Sequence, residues 1–236
     1  MYFFAILSVM TGSFQEFVII TSLIVIHEIG HSIFAYFFKV KIKEIYIYPL
    51  GGISKFKMDL NIHPIKEFFI LIGGPLFQFF AYFTLLKILP SKKEIINFYH
   101  YGILYFNLLP IYPLDGGKIL KLFLELFIPY KYSLKLIIQS SYIIIVIIVI
   151  TMRIIKINII VMSLFLLILI FKEQKKIEYI YNKFLLERYI NNYHFFKRKI
   201  IQNERQFYRN KSHILKLNNE YISEEDYLKI KYQKKY

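Results

Sequence analysis

Inside the apolar run Phe14–Phe38 stand His27, Glu28 and His31, spaced as His-Glu-Ile-Gly-His. Positions four apart share one face of a helix, so the two imidazoles can reach one metal ion together. Glu28 follows the first of them and can work as a general base on a water at that metal. This is the HExxH arrangement of zinc peptidases. An ionisable residue at bilayer depth costs about 2.5–3.5 kcal/mol on insertion scales for Asp, Lys and Arg. Three polar groups on one apolar helix therefore need a compensating interaction, which a bound metal supplies; a satisfied polar network between helices is the plainer alternative. The chain has no cysteine, so any metal must sit on His, Asp or Glu. A catalytic zinc normally takes three protein ligands and a water, and two histidines leave it one short. The best candidate for the third is Asp115, at the end of the apolar stretch that holds Asn107-Leu108-Leu109-Pro110-Ile111-Tyr112-Pro113-Leu114-Asp115-Gly116-Gly117. Its prolines and glycines break a helix, and a broken helix inside a membrane is tolerated where it lines a site.

The elements that must hold these residues are membrane helices. Hydrophobic residues make up 56% of the 236, charged residues only 20%, and mean hydropathy is +0.44. The apolar excess falls in blocks that approach the roughly 20 residues a spanning helix needs: Phe14–Phe38, Phe68–Leu89, Ile95–Leu114, Leu134–Met152 and Ile154–Phe171. Met1–Val9 reads as part of a further spanning helix that turns at Thr11-Gly12-Ser13, giving about six spans. Putting both termini in the cytoplasm assigns six basic residues to loop 39–67 and four to 115–135 on that side. The opposite loops then carry three and two. The excess favours cytoplasmic termini by the positive-inside rule. The segment 40–48, rich in β-branched and aromatic residues and running into Pro49-Leu50-Gly51-Gly52, reads as a strand in a membrane-associated hairpin. The expected fold is an all-α polytopic membrane protein with that short β-hairpin and a small cytoplasmic tail.

The tail is basic: residues 172–236 hold 16 of the 31 Lys and Arg against 8 of the 16 acids. Behind a membrane block such charge marks the cytoplasmic side, and without a binding motif it gives no reason to expect a nucleic-acid partner. Residues 173–199 show helical spacing and are expected to prolong the last span. Ile214–Leu217 is read as a short strand, and Ser223 before three acids as a helix cap. His63, His194 and His213 are expected at the surface. His100 is either interfacial or a polar contact near the site.

The pairing of His-Glu-Ile-Gly-His with Asn-Leu-Leu-Pro-Ile-Tyr-Pro-Leu-Asp-Gly-Gly resembles the site-2 protease family of intramembrane zinc metalloproteases, nearest to its sporulation sigma-K-processing type (the stage IV sporulation protein FB group). The resemblance covers residues 1–172, expected as the transmembrane metalloprotease domain, with 173–236 as the tail. It implies one zinc ion per chain, held by His27, His31 and Asp115, with Glu28 catalytic and Asn107 and Pro113 positioning substrate. It further implies a multi-pass protein of a bacterial cell membrane or the membrane around a forespore. The substrate would be membrane-associated, such as a sigma-factor pro-sequence, with an inhibitory membrane partner. Gly73-Gly74-Pro75 matches a small-residue turn of the family, but relatives have Asn shortly after it where this chain has Gln78. The 65 tail residues are too few for the nucleotide-sensing CBS domain of many sporulation relatives. The alternative reading is a non-proteolytic membrane metal-binding protein or transporter built on the same ligands.

Overall fold

A computed structural model describes residues 11–48, 51–57, 59–151, 157–191, 193, 195, 197–217 and 220–233. Met1–Val9, expected to be part of the first span, lies outside them, as do the turn residues Pro49 and Leu50, the junction 152–156 and His194. The chain divides into two compact units, residues 1–58 with 64–109, and residues 59–63 with 110–236.

The first unit is built on helix α1 (Phe14–Phe37), whose buried positions Ile19, Leu23, His27, Gly30 and His31 recur at helical spacing. It ends without a glycine. Lys39 takes the left-handed conformation (φ 58°), and its N–H and that of Val40 bond back to Tyr36 and Ala35. This double bond is a Schellman closure that satisfies the last carbonyls and turns the chain away. It leads into β1 (Lys41–Tyr48), paired antiparallel with β2 (Gly51–Lys57), with a register shift between Ile42 and Glu44. The expected hairpin is present. Helix α2 (Pro64–Ile88) opens on a proline and carries Pro75 inside it, which withdraws one backbone N–H from the ladder. Helix α3 (Lys93–Leu108) follows a 3-10 turn at Pro90–Lys92. Ile19 and Leu23 of α1, Ala81 and Tyr82 of α2, and Ile96 of α3 form the shared core. Glycines let α1 and α2 touch: a Cβ on Gly30 would lie 2.3 Å from the Gly73 carbonyl oxygen. Small residues permit this approach between membrane helices.

The second unit begins where the apolar stretch was expected to break at its prolines and glycines, and it does. Helix α3 stops at Leu108, and Asp115 opens α4 (Asp115–Phe127) instead of ending the apolar stretch. Pro110 and Pro113 each lack an N–H and push the preceding residue out of helical geometry, so 109–114 cannot continue the helix. This segment folds back tightly on α4. A Cβ on Gly117 would meet the Ile111 carbonyl carbon and the Tyr112 nitrogen at 2.4 Å, and the Tyr112 N–H donates to Ser141 Oγ at 2.8 Å. Ser141 belongs to α5 (Tyr130–Thr151), and α6 (Ile157–Lys175) packs beside it.

The tail departs further from expectation. Helix α6 ends at Lys175 and a separate helix α7 (Ile177–Asn191) begins, so residues 173–199 do not prolong one helix. Strands β3 (Arg198–Ile201), β4 (Ser212–Leu217) and β5 (Glu220–Ser223) form a sheet, β3 parallel and β5 antiparallel to β4. The strand expected at 214–217 is β4. Helix α8 (Glu224–Gln233) starts with Ser223 Oγ accepting the Asp226 N–H at 3.1 Å, the cap read from sequence. Arg188 organises the tail. Its five donors reach Asn61 Oδ1, Glu224 Oε1 and the carbonyls of Tyr208, Arg209 and Lys211.

Among the described residues α1, α2 and α5 are long and apolar enough to cross a membrane. Their outer faces stay apolar, with Phe80, Phe83, Ile143 and Ile150 mostly exposed, as lipid-facing surface requires.

Candidate metal centre

Helix α1 presents His27 and His31 one turn apart on its buried face, with Glu28 beside them; all three are nearly inaccessible to solvent. The two rings meet edge to face with centroids 4.8 Å apart, and their Nε2 atoms approach to 3.1 Å. Two nitrogens bound at about 2.0–2.1 Å to a tetrahedral zinc would be separated by a little over 3 Å. Each Nδ1 is engaged from behind by α2. His31 Nδ1 lies 2.8 Å from the Ile70 carbonyl oxygen, which can only accept, so the imidazole donates there. His27 Nδ1 lies 2.9 Å from Gln78 Oε1. Outer partners of this kind orient metal-binding histidines and raise their basicity.

The space in front of both Nε2 atoms is kept by a missing side chain. A Cβ on Gly74 would lie 2.4 Å from His31 Nε2 and 2.8 Å from His27 Nε2. Buried facing nitrogens, supported at their far sides and opening on a cradle a methyl group would fill, fit a small cation. Glu28, at the neighbouring position, has the carboxylate that a general base in a hydrolytic site requires.

Asp115 stands in the second unit, buried in the first turn of α4, with Lys118 Nζ 3.1 Å from its Oδ1. His27 and His31 are buried in the first unit and Asp115 in the second, and each has a side-chain atom of a type that ligates zinc. Asn107 is buried in the last turn of α3, and Pro113 is half-buried after a cis peptide bond.

Residues 15–94 match the family model described as Peptidase family M50; the matched stretch carries His27, Glu28 and His31. Stage IV sporulation protein FB of Bacillus subtilis is 33% identical over 195 residues, which cover 78% of this chain and 67% of that protein. The chain belongs to the site-2 proteases, peptidase family M50. A zinc metalloprotease of Methanocaldococcus jannaschii is 37% identical over 46% of this chain, though this spans only 34% of that relative. A solved site-2 protease from the same archaeon superposes with a TM-score of 0.57 at 27% identity, over 71% of this chain and 82% of that one. This site-2 protease is a membrane-embedded zinc metalloendopeptidase. A non-proteolytic metal binder or transporter is not favoured.

The other histidines sort differently from expectation. His63 is exposed, as read from sequence. His213 is buried in the tail, not at the surface: its Nδ1 pairs with Glu224 at 2.8 Å and its Nε2 accepts the Tyr208 N–H. A basic local sequence suggested solvent, but β4 turns this side chain inward against Phe207. His100 is fully buried and hydrogen-bonded by Gln78 through its carbonyl, so it is a polar contact close to the site. Gln78, a departure from its relatives that gave no reason to expect a role, is the side chain that sequence reasoning passed over. Its position one turn after Gly74 was the available signal.

Proposed function

We propose that His27, His31 and Asp115 hold one zinc ion, with Glu28 as the catalytic base of peptide-bond hydrolysis. The paired Nε2 atoms 3.1 Å apart, facing the Gly74 cradle, carry the reading. Bound there, zinc would supply Lewis acidity toward a water and the scissile carbonyl. The Glu28 carboxylate takes the proton of the attacking water and passes it to the leaving amine. Asn107 and Pro113 position the substrate chain, Asn107 by hydrogen bonds to its backbone. A helix hides its carbonyls in its own ladder, so the substrate must unwind before it is cut. An edge of the hairpin left unpaired among the described residues then offers pairing to an extended segment, as in β-augmentation.

The substrate we infer is a membrane-associated protein, of the sigma-factor pro-sequence class, and an inhibitory membrane partner would restrain its cleavage. Similarity to a sporulation protein over four fifths of the chain supports this. The proposed topology has about six spans with both termini cytoplasmic, in a bacterial cell membrane or the membrane around a forespore. The division would fall at residue 172, between protease domain and tail.

The test is zinc per chain together with cleavage of a membrane-tethered reporter. Wild type and Glu28→Gln should each hold one zinc, while His27→Ala and Asp115→Ala lose or weaken it; only wild type should cut. Cleavage retained by Glu28→Gln would end the assignment of the base.

A further inference from the structure

A zinc-binding imidazole needs its lone pair on the nitrogen that faces the metal, and its proton on the other. For His31 that choice is made by backbone: the Ile70 carbonyl oxygen accepts from Nδ1 whatever residue stands at 70. His27 depends on a side chain. Gln78 is fully buried and sits one turn after Gly74 on α2, so it shares that residue's face. Its Nε2 donates to the His100 carbonyl oxygen at 2.9 Å. A carbonyl can only accept, which fixes the orientation of the amide. Gln78 Oε1 is thereby turned to His27 Nδ1 at 2.9 Å, where it too can only accept. His27 must carry its proton on Nδ1, and its lone pair lies on Nε2, facing His31.

The anchor of this chain of bonds is rigid. The His100 ring stacks on Tyr82 at 4.1 Å and is met edge-on by Phe79 and Tyr101 at 4.9 and 5.0 Å. Its carbonyl on α3 is thus held against α2 by packing.

We propose that Gln78 is a positioning residue of the metal centre: bonded to the His100 carbonyl, it sets the tautomer and ring angle of His27. This rests on His27 being a zinc ligand. It makes position 78 the place where a side-chain change tunes metal affinity without touching a ligand.

The experiment compares full-length wild type, Gln78→Leu and Gln78→Glu in detergent, by zinc affinity in competition with a chromophoric chelator and by the visible spectrum of the cobalt-substituted protein. Gln78→Leu fills the space but leaves the His27 N–H without an acceptor; it should weaken zinc by about 10- to 100-fold and shift the cobalt bands. Gln78→Glu keeps an acceptor toward Nδ1 but loses the donor to the His100 carbonyl, so its affinity should fall between wild type and Gln78→Leu. Equal zinc affinity in wild type and folded Gln78→Leu would overturn this inference alone, as would Gln78→Glu falling as far as Leu. A wild type that binds no zinc would overturn the ligand assignment beneath it. Should Gln78→Leu fail to fold, histidine nitrogen shifts of the metal-free wild type decide: Nδ1-protonated His27 is expected, and Nε2-protonated His27 refutes it.

Discussion

Gly74 shows how much a single missing side chain can set. Its absent Cβ leaves the volume in front of both imidazole nitrogens open, at distances of 2.4 and 2.8 Å that real carbon atoms do not occupy. Gly74→Ala should therefore push the rings off their shared direction and weaken zinc by about tenfold or more, while helical content stays at the wild-type level. Undiminished zinc in a folded Gly74→Ala would mean that the cradle is only packing. Gly30 is the contrast. The atom its Cβ would meet at 2.3 Å is the backbone oxygen of Gly73, so Gly30→Ala should separate α1 from α2 and lower thermal stability along with zinc binding. The same one-carbon change thus reads out chemistry at one glycine and helix packing at the other.

At the scale of elements, three devices end or interrupt the helices that carry the candidate site residues. The Schellman turn at Lys39 ends α1 at Phe37, six residues beyond His31, and directs the chain into β1. Pro75 withholds a ladder bond in α2 immediately after the two glycines that face α1. Pro110 and Pro113 stop α3 and let a new helix begin at Asp115, placing that carboxylate in the first turn of α4. The hairpin pairs only β1 with β2 among the described residues, so each strand keeps one edge unpaired within its sheet. Proline at Ile45 or Ile47 removes an N–H from β1 and stiffens its backbone. Cleavage should fall by at least about tenfold through lost strand-pairing bonds, each worth about 0.5–1.5 kcal/mol, while zinc content holds. Parallel loss of both would count against the hairpin as a substrate edge.

At the scale of the whole molecule, the tail is a folded α/β module and not an extension of the last span. Arg188, almost fully buried, spends every donor on Asn61, Glu224 and three carbonyls. Burial pulls its pKa below the usual guanidinium value, against the opposing charge of Glu224. Arg188→Met would strand a half-buried Glu224 and three carbonyls; a loss of about 3–5 kcal/mol is expected, seen as faster hydrogen exchange across 198–217. The same cluster should respond to acid. Burial lowers the pKa of His213, more than the Glu224 carboxylate raises it. A histidine whose folded pKa is depressed binds fewer protons folded than unfolded. Its contribution is complete above the unfolded value near 6.5 and is lost as pH falls below it. Exchange protection of β4 should therefore decline between pH 7.5 and 5.5, and His213→Gln should flatten that decline. An unchanged slope in the variant would assign the pH response elsewhere.

The sequence by itself determined the chemistry. His27, Glu28 and His31 within one apolar run pointed to a zinc peptidase, because a spacing of four puts two imidazoles on one helix face. The apolar blocks declare membrane helices because their lengths match a bilayer. The strand at 41–48 and the cap at Ser223 were legible too, since their signals are local. What tertiary structure decided was everything that depends on a partner far along the chain. Gln78 looked like a lost asparagine until α2 packed on α1 and brought it to His27. His213 looked like a basic-tail histidine until β4 turned it toward Glu224. Hydrogen-bond partners separated by 11 residues, as His213 and Glu224, or by 51, as His27 and Gln78, leave no periodicity to read, and only tertiary packing brings them within 3 Å.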